Sequence, residues 1–588
     1  MSILNIGTSA LLTTQGALAT TSHNISNVNT EGYNRQRVEQ GTRIPDFNGG
    51  YYIGTGVQID SVQRLFDQFL ADQVRLFTSQ QQQLETFTSF SKQLDNLLGS
   101  ESLSLSAGMD SFFDATQAVA DDPTSIAARK VMLTEAETLA NRFNTLDTQL
   151  TAANNQINLS LDAAVKDINT LAQGIADLNR AITEADGAPG VPPNDLLDQR
   201  DKLINDLSKL VSVSVVEQSN GVFNVFIGSG QPLVTGNTLN RLAIIEDPND
   251  ATRSQIAFGA NQVNISNQLS GGKVGGLLSV RKDVIDTARA EIDSLAAGLA
   301  SAINQQHRTG ITLNGNAGGN LFAIPDPLPA DWPKGAARAI SIALSDPRDL
   351  AVAFPVNLST AALNNGTGKI EITTVDGSIP GFNATSVLTD PLQIAYDEVN
   401  GGYQITYGAG NTAFISYNPQ TDSGKSLDLA NLASLPSPPN SDFAGAVPPL
   451  TIKLTGTPAD TDQFTINNAG SGAGFTTVGD NRNALALAEL QVKKTLAPST
   501  NTGLPTQTFG DAYGILVANV ATRTKQAEAG QAAQQGLLDQ TQQRYDAISG
   551  VNLDEEAANL IKFQQSYQAA AQIITVSNTI FDTLLNSF

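Results

Sequence analysis

The chain is 588 residues long and carries 34 Lys and Arg against 57 Asp and Glu, a formal net charge of −23. A phosphate surface is bound through a basic patch, and no run of Lys and Arg supplies one, so neither nucleic acid nor membrane is expected as a partner. Cysteine is absent, which excludes disulfides, thiol nucleophiles and Cys-based metal sites. The length predicts several domains rather than a single core.

The first 28 residues predict a helix in which large and small residues alternate along one heptad seam. They contain no Asp, Glu, Lys or Arg, so the basic region of a secretory signal peptide is missing, and we expect any export to use another route. Polar residues interrupt them too often for a membrane span. Large residues recur every seven positions, and small or less bulky ones alternate with them: Leu4, Leu11, Leu18, Ile25, then Gly7, Thr14, Thr21, Val28. This pattern favours close packing against a bulkier helix.

Long helices are predicted for much of the chain body, because apolar residues recur there at steps of three, four and seven. These segments are 63–98, 139–182, 195–210, 277–308 and 512–547. The run from Leu139 to Ile182 predicts one helix of about sixty residues that ends before Gly187. Helices far longer than the usual mean of ~11–12 residues are typical of a rod.

Two segments predict β structure. Alternating apolar residues between Val213 and Ile227 indicate a hairpin, and a larger β segment spans about 340–478. Within that segment, alternation over 392–396 and 403–407 flanks a Gly-rich turn. The pairs around 452–454 and 464–466 suggest a second hairpin. We expect a β domain inserted into a helical rod.

The C-terminal segment predicts a helix over 552–588 with a heptad seam. The seam residues are Leu560, Phe563, Tyr567, Ala570, Ile574, Ser577, Phe581 and Leu584. Asn552 and Glu555 resemble a capping box, and acidic residues in the first turn suit the helix dipole. We expect this seam to pack on the N-terminal one. The alternative is that each end packs on the chain body as an ordinary amphipathic helix.

The predicted fold class is therefore α+β, a long-helix rod with terminal coiled-coil helices and an inserted β-rich domain. The predicted domains are 1–60, an N-terminal assembly helix and loop; 61–335, the first part of the rod with a small β hairpin; 336–479, a β-rich outer domain; 480–548, the returning part of the rod; and 549–588, a C-terminal assembly helix. In this nested layout, we expect the N-terminal and C-terminal helices to lie at the same end of the molecule.

Two motifs carry a resemblance to a known family. Residues 16–38 read GALATTSHNISNVNTEGYNRQRV, which resembles the N-terminal signature of bacterial flagellar rod, hook and hook-associated proteins. Residues 550–588 read GVNLDEEAANLIKFQQSYQAAAQIITVSNTIFDTLLNSF, which resembles the C-terminal helix of the hook-associated protein 1 family. Members of that family form the first junction between the flagellar hook and its filament.

The resemblance implies a structural subunit of that junction, needed for filament assembly and without enzymatic activity or cofactors. It implies as partners the hook protein, the second junction protein, identical subunits in a ring, and an export chaperone that masks the C-terminal helix. It also implies secretion through the flagellar type III export apparatus to the extracellular flagellum. The implied assembly interface comprises Leu4, Leu11, Leu18, Asn24, Ile25, Asn27, Asn29, Gly32, Tyr33, Leu560, Phe563, Tyr567, Ile574, Phe581 and Leu584.

The signature residues also have a local physical meaning. The amides of Asn24, Asn27 and Asn29 can satisfy backbone groups where a helix gives way to an extended segment. Gly32 permits a turn that other residues would strain, and Tyr33 offers a packing face. An ordinary helix end and loop would explain the Asn and Gly residues alone, but not their combination with a heptad tail more than 500 residues away.

Two other functions remain open from the sequence. One is another flagellar axial protein of the hook, rod or flagellin type. The other is a stalked extracellular adhesin or enzyme that works through the β domain. His23 and His307 are too few and too isolated for a His-rich metal site or an evident triad. We therefore predict no catalytic, cofactor-binding or metal-binding residues.

Overall fold

A computed structural model describes residues 3–586 apart from short internal gaps. The gaps are 49–50, 102, 186–191, 219–220, 326–328, 378–381, 409–410, 431–448, 471–477 and 499–501. The fold is α+β, as predicted, with long helices and several small sheets. The chain forms two compact units: a first unit of Met1–Leu94, Ala152–Ile285 and Ala521–Phe588, and a second unit of Asp95–Thr151 and Asp286–Val520.

The described residues form these helices: α1 Ile3–Ser26, α2 Gln68–Leu98, α3 Leu105–Asp121, α4 Ile126–Ala185, α5 Asn194–Leu210, α6 Gly272–Val280, α7 Thr287–Arg308, α8 Ala336–Ala339, α9 Arg482–Glu489, α10 Phe509–Ser549 and α11 Leu553–Leu585. A π-helical stretch, Arg281–Asp286, joins α6 to α7. The long helix predicted around 139–182 is confirmed, since α4 is 60 residues long. Most of its apolar residues at helical spacing are buried, with Leu171 and Leu178 half-buried, and this apolar stripe is why the helix is continuous.

The described residues of the first unit form four antiparallel sheets. Its strands are β1 Gln36–Thr42, β2 Asp46–Asn48, β3 Tyr51–Ile53, β4 Val57–Arg64, β5 Val213–Glu217, β6 Phe223–Ile227, β7 Gln231–Thr235, β8 Thr238–Leu239, β9 Leu242–Asp247, β10 Asp250–Phe258 and β11 Val263–Asn264. They pair as β1–β4, β2–β3, β5–β6–β7–β8 and β9–β10–β11. The predicted hairpin at 213–227 is confirmed by the pairing of β5 with β6.

The second unit contains the larger β region. Its strands are β12 Ile311–Thr312, β13 Phe322–Ala323, β14 Ser341–Ile342, β15 Ala351–Ala353, β16 Val356–Thr360, β17 Lys369–Val375, β18 Leu392–Asp397, β19 Gly402–Tyr407, β20 Asn411–Ser416, β21 Lys425–Asp428, β22 Leu450–Thr455, β23 Gln463–Asn468, β24 Leu496–Pro498 and β25 Pro505–Gln507. A five-stranded sheet, β16–β23–β18–β19–β20, and a three-stranded sheet, β17–β22–β21, share one apolar core.

Two expectations about strands are corrected. Residues 452–466 do not form one hairpin, because β22 pairs with β17 and β21 while β23 pairs with β16 and β18. Alternation identified both strands but could not assign partners that are distant in sequence. The helix predicted from residue 63 begins at Gln68, since β4 runs to Arg64.

Asparagine side chains attach strands to helices in a recurring way. Asn169 on α4 donates to the Leu242 carbonyl at 2.9 Å and accepts from the Leu242 amide at 2.9 Å. Asn179 makes the same pair of bonds with Phe223, and Asn304 on α7 makes it with Phe322. The side-chain amide thus substitutes for a neighbouring strand residue, because it offers one donor and one acceptor like a peptide group.

Candidate assembly interface

The two ends of the chain form an antiparallel helix pair within the first unit. A Cβ on Gly7 of α1 would lie 2.9 Å from Cγ1 of Ile574 in α11. Seventeen residues further along α1, the Asn24 amide lies 3.2 Å from the Glu556 carboxylate. Rising numbers on one helix therefore meet falling numbers on the other. Because Gly7 has no side chain, the two backbones approach closely at this point.

Small residues form the buried side of α1. Gly7, Thr14 and Thr21 are buried, whereas the large residues of the predicted seam are only half-buried. That half-buried set is Leu4, Leu11, Leu18 and Ile25. The sequence periodicity predicted the spacing of the large and of the small residues, but not which of the two sets is buried. The close approach of the backbones explains why the small set is the buried one.

The predicted seam of α11 divides into two parts. Leu560, Phe563 and Ile574 are half-buried, and Phe563 lines a cavity of about 330 Å³ with Ala17 and Thr21. The antiparallel register places Ile3 near Asn578, so roughly the last two turns of α11 extend past the described start of α1.

Exposure increases toward the end of this seam. Tyr567 is 37% exposed, and Phe581, in the extending turns, is 63% exposed. The side chain of Leu584 lies outside the described residues. The first part of the predicted seam therefore contacts α1, whereas Phe581 has no α1 residue opposite it.

A second set of apolar side chains on α11 lies off the face that packs on α1. We call it the outer face; it comprises Ile561, Ala569, Val576 and Ile580, all exposed. Apart from residues in the first turn, the described part of α11 carries only Lys562 and Asp582 as charged residues. An exposed apolar surface with few charges is typical of a protein–protein contact.

The signature residues after α1 form a polar cluster around Asn24, which is buried. Its Oδ1 accepts hydrogen bonds from the Tyr33 hydroxyl at 2.7 Å and from the Gln36 amide at 2.9 Å. Its Nδ2 donates to the Gln36 carbonyl at 2.9 Å and to Glu556 at 3.2 Å. One amide therefore joins the end of α1, the start of β1 and the first turns of α11.

The remaining signature residues shape the turn between α1 and β1. Asn27 donates to the His23 carbonyl at 3.0 Å and accepts from Thr30, so it closes the end of α1. Gly32 has a φ of +82°, a conformation that favours glycine. Asn29 is exposed.

Tyr33 packs edge-on against His23, with the ring centroids 5.5 Å apart. Burial raises the pKa of its hydroxyl, and Asp195 and Asp198 raise it further, so the hydroxyl stays protonated as a donor to Asn24.

A buried acidic site fixes the signature loop to α5. The Asp198 carboxylate accepts from the Asn34 amide at 3.0 Å, from the Asn34 side chain at 2.6 Å and from Arg64 at 3.1 Å. Burial raises the pKa of Asp198, while these donors oppose the rise. Asn34 also accepts from the hydroxyl of Tyr545 on α10, whose pKa burial raises to about 12. The loop is thereby joined to two helices, α5 and α10.

Sequence reasoning missed the β arm made by β1 and β4. This arm lies along α1: Thr13 donates to the Val57 carbonyl at 3.5 Å, and the Val57 amide donates to Ser9 at 3.3 Å. At its tip, Phe47 and Tyr52 pack edge to face at 5.2 Å, and both are largely exposed. The aromatic residues between Gly41 and Gly56 were the signal in the sequence that could have indicated this arm.

Among the described residues, no group of three or more His, Asp or Glu could hold a metal ion. None of the helices in this part of the chain combines the length and apolar character that a membrane crossing requires. His23 lies 3.4 Å from Asp195 at the surface, and His307 is fully buried in the second unit.

Replacing Gly7 tests the close helix approach. Gly7→Val should weaken the α1–α11 pair by about 1–3 kcal/mol, because the added methyls meet Ile573 and Ile574. Hydrogen exchange of the α11 amides around Ile574 should accelerate accordingly. Gly536→Ala is the matched control, since nothing lies near a Cβ at that α10 position. It should stabilise the chain slightly; equal effects of the two variants would contradict the proposed packing.

Paired terminal helices with an exposed apolar face, beside a polar signature loop, are typical of a subunit of a structural assembly. Family models match this chain in three places. The flagellar hook-associated protein FlgK helical domain matches residues 91–322, the flagella basal body rod protein matches 4–34, and the flagellar basal body rod FlgEFG protein C-terminal model matches 542–587. Two relatives named flagellar hook-associated protein 1 are 31% and 32% identical to the chain over its whole length, so the chain belongs to the flagellar hook-associated protein 1 family.

The sequences of individual relatives match this chain over its whole length. Flagellar hook-associated protein 1 of Salmonella typhimurium is 31% identical, over 100% of this chain and 99% of the relative. That of Escherichia coli K12 is 32% identical with the same coverage. The solved structure of the flagellar hook junction protein FlgK from Burkholderia pseudomallei is 27% identical, with a TM-score of 0.68 over 81% of this chain and 100% of that one.

Proposed function

We propose that this chain is a non-enzymatic structural subunit that joins the flagellar hook to the filament and is required for filament assembly. The observation that carries the proposal is the exposed apolar outer face of α11, in a chain that belongs to the hook-associated protein 1 family. A monomer gains nothing from leaving that face uncovered, whereas neighbouring subunits bury it. Other axial roles are less well supported, since the full-length relatives carry the hook-associated name.

The proposed partners are flagellar axial proteins and one transient partner. Identical subunits form a ring, the hook protein lies on one side, and the second hook–filament junction protein lies on the other. An export chaperone masks α11 before assembly, because its exposed apolar residues would otherwise aggregate. The subunit leaves the cell through the flagellar export apparatus and functions in the extracellular flagellum.

Within this proposal, the predicted interface residues have two roles. Phe563, Ile574 and the Asn24 cluster hold α11 on α1, whereas Phe581 and the outer face contact neighbouring subunits. The domain boundaries at 60, 335, 479 and 548 remain proposals, with 336–479 as the outer domain that polymer contacts do not need. The Asn24 cluster, Gly32 and Tyr33 keep the terminal pair on the first unit.

Removing the gene tests the proposal directly. Cells without this chain should carry hooks that lack filaments and should release unassembled filament protein into the medium. Electron microscopy of the cells and immunoblotting of the medium measure both outcomes. Expression of the wild-type chain from a plasmid should restore filaments and serves as the control. Normal filaments in cells without the chain would contradict the junction role.

A further inference from the structure

The second unit contains three Asn–Gly pairs: Asn314–Gly315, Asn365–Gly366 and Asn400–Gly401. An asparagine in such a pair can lose its side-chain amide without an enzyme, because glycine leaves its own backbone nitrogen open to reaction. That nitrogen attacks the asparagine side chain only after it has given up its proton. A hydrogen bond donated by the glycine N–H, or burial of the glycine, therefore protects the pair. All three asparagines are exposed, so the glycines decide how the pairs differ.

Two of the three glycine amides are protected. Gly315 is buried, and its amide donates to the Thr312 carbonyl at 3.0 Å. Gly366 is half-buried, and its amide donates to the two oxygens of the Asp462 carboxylate at 3.3 and 3.2 Å. Asp462 is only 2% exposed. Loss of the Gly366 amide proton would place a second negative charge beside this buried carboxylate, which is strongly unfavourable.

The Gly401 amide has neither kind of protection. Gly401 is exposed in the turn between β18 and β19, and its N–H meets no acceptor among the described residues. The side chain of Asn400 donates to Oδ2 of Asp397 at 2.6 Å. This bond lies at the surface, where water competes for both groups, so the Asn400 side chain can leave Asp397 and turn toward Gly401.

We infer that Asn400 is a site of spontaneous deamidation, through which the turn between β18 and β19 gains a negative charge. The Gly401 nitrogen loses its proton and forms a bond to Cγ of Asn400. The bond from Cγ to the side-chain nitrogen then breaks, and this nitrogen leaves as ammonia with the proton that balances the step. Water opens the resulting five-membered imide, which leaves aspartate or isoaspartate at this position.

The product weakens the turn in two ways. A carboxylate in place of the Asn400 amide lies against Asp397, so repulsion between like charges replaces a hydrogen bond. Isoaspartate also adds one methylene to the main chain next to Gly401, whose carbonyl accepts from the Tyr417 amide at 3.0 Å. We therefore expect the tip of this hairpin to loosen as the protein ages. The inference goes beyond the proposed function and does not depend on it.

Peptide mapping by mass spectrometry tests the site on the purified full-length chain, kept at mildly alkaline pH. We expect Asn400 to deamidate at least about tenfold faster than Asn314 and Asn365, because the latter two react only after local opening. In guanidinium chloride the three rates should agree within about threefold, since the protection is lost. Equal rates in the folded chain, or a tenfold difference that persists in the denaturant, would overturn the inference.

The variant Asn400→Asp tests the effect of the new charge on the turn. Hydrogen exchange of the Tyr417 amide should accelerate at least about threefold, because this amide is bonded to the Gly401 carbonyl. Asn400→Gln is the matched control; it keeps a neutral amide and should change this exchange by less than about twofold. The amide of Phe464, in the middle of the sheet, should exchange as in the wild type. Equal effects of the two variants on Tyr417 would overturn the predicted loosening.

Discussion

Ile561→Asp combined with Val576→Asp should leave the monomer folded and abolish assembly at the hook–filament junction. Both side chains lie on the outer face of α11 and are more than half exposed, so carboxylates there remain hydrated in the monomer. In a subunit contact the same carboxylates would be desolvated without a partner, at a cost of several kcal/mol each. Electron microscopy of complemented cells should show hooks without filaments, while the purified variant keeps wild-type thermal stability.

Two matched variants interpret that result. Leu363→Asp with Val399→Asp places the same charges on exposed apolar positions of the β region, and filaments should form normally. Phe563→Ala with Ile574→Ala removes half-buried contacts between α11 and α1, which should cost about 1–2 kcal/mol per residue in the monomer. It should therefore both accelerate hydrogen exchange in α11 and prevent assembly. Wild-type filaments in the outer-face variant would contradict the proposed interface.

The second unit should lose stability as the pH falls from about 6.5 to 4. His307 is fully buried; its Nδ1 donates to the Gly319 carbonyl at 2.7 Å, and its Nε2 accepts from the Ala351 amide at 2.8 Å. Burial lowers the pKa of His307 to about 4, and the charge of Arg129 also lowers it. The unfolded chain therefore takes up this proton first as the pH falls, and about 3 kcal/mol of stability is lost by pH 4.

The contribution of His307 can be isolated by difference. His307→Gln cannot titrate, so the stability difference between wild type and variant should shrink between pH 6.5 and 4 by about 3 kcal/mol. Urea unfolding, followed by the fluorescence of Trp332 in the second unit, measures both proteins under identical conditions. Carboxylates that titrate in the same range contribute equally to both curves. A constant difference across this range would show that His307 takes up its proton equally in both states.

The long helices could be predicted from the sequence because a single repeating signal extends over many turns. In α4, buried apolar residues recur at steps of three, four and seven from Met132 to Ile182. The β arm could not be predicted in this way. The strand Gln36–Thr42 reads QRVEQGT, and its single fully buried side chain is the polar Gln36. Its position depends on α1 and β4 rather than on its own alternation.

The candidate interface likewise combines features that a local repeat predicts with features that depend on distant parts of the chain. Phe563 and Ile574, two residues of the predicted heptad seam, are half-buried in the structure, but the spacing could not determine where the partner helix ends. The exposure of Phe581 follows from the antiparallel register, which is set by Gly7 and Asn24 at distant points of α1. Arg35 and Glu556 are also invisible to local patterns, because their contact exists only after both chain ends are placed together.

The asparagine attachments bear on the surroundings in which the protein can keep its shape. Asn169, Asn179 and Asn304 each hold a strand with a neutral amide. Dissolved salt screens ion pairs, and acid discharges carboxylates, but neither affects an amide. A flagellum outside the cell meets water whose salinity the cell does not control. With these attachments, the contact between helix and strand should have the same strength in dilute and in salty water, without any adjustment by the organism.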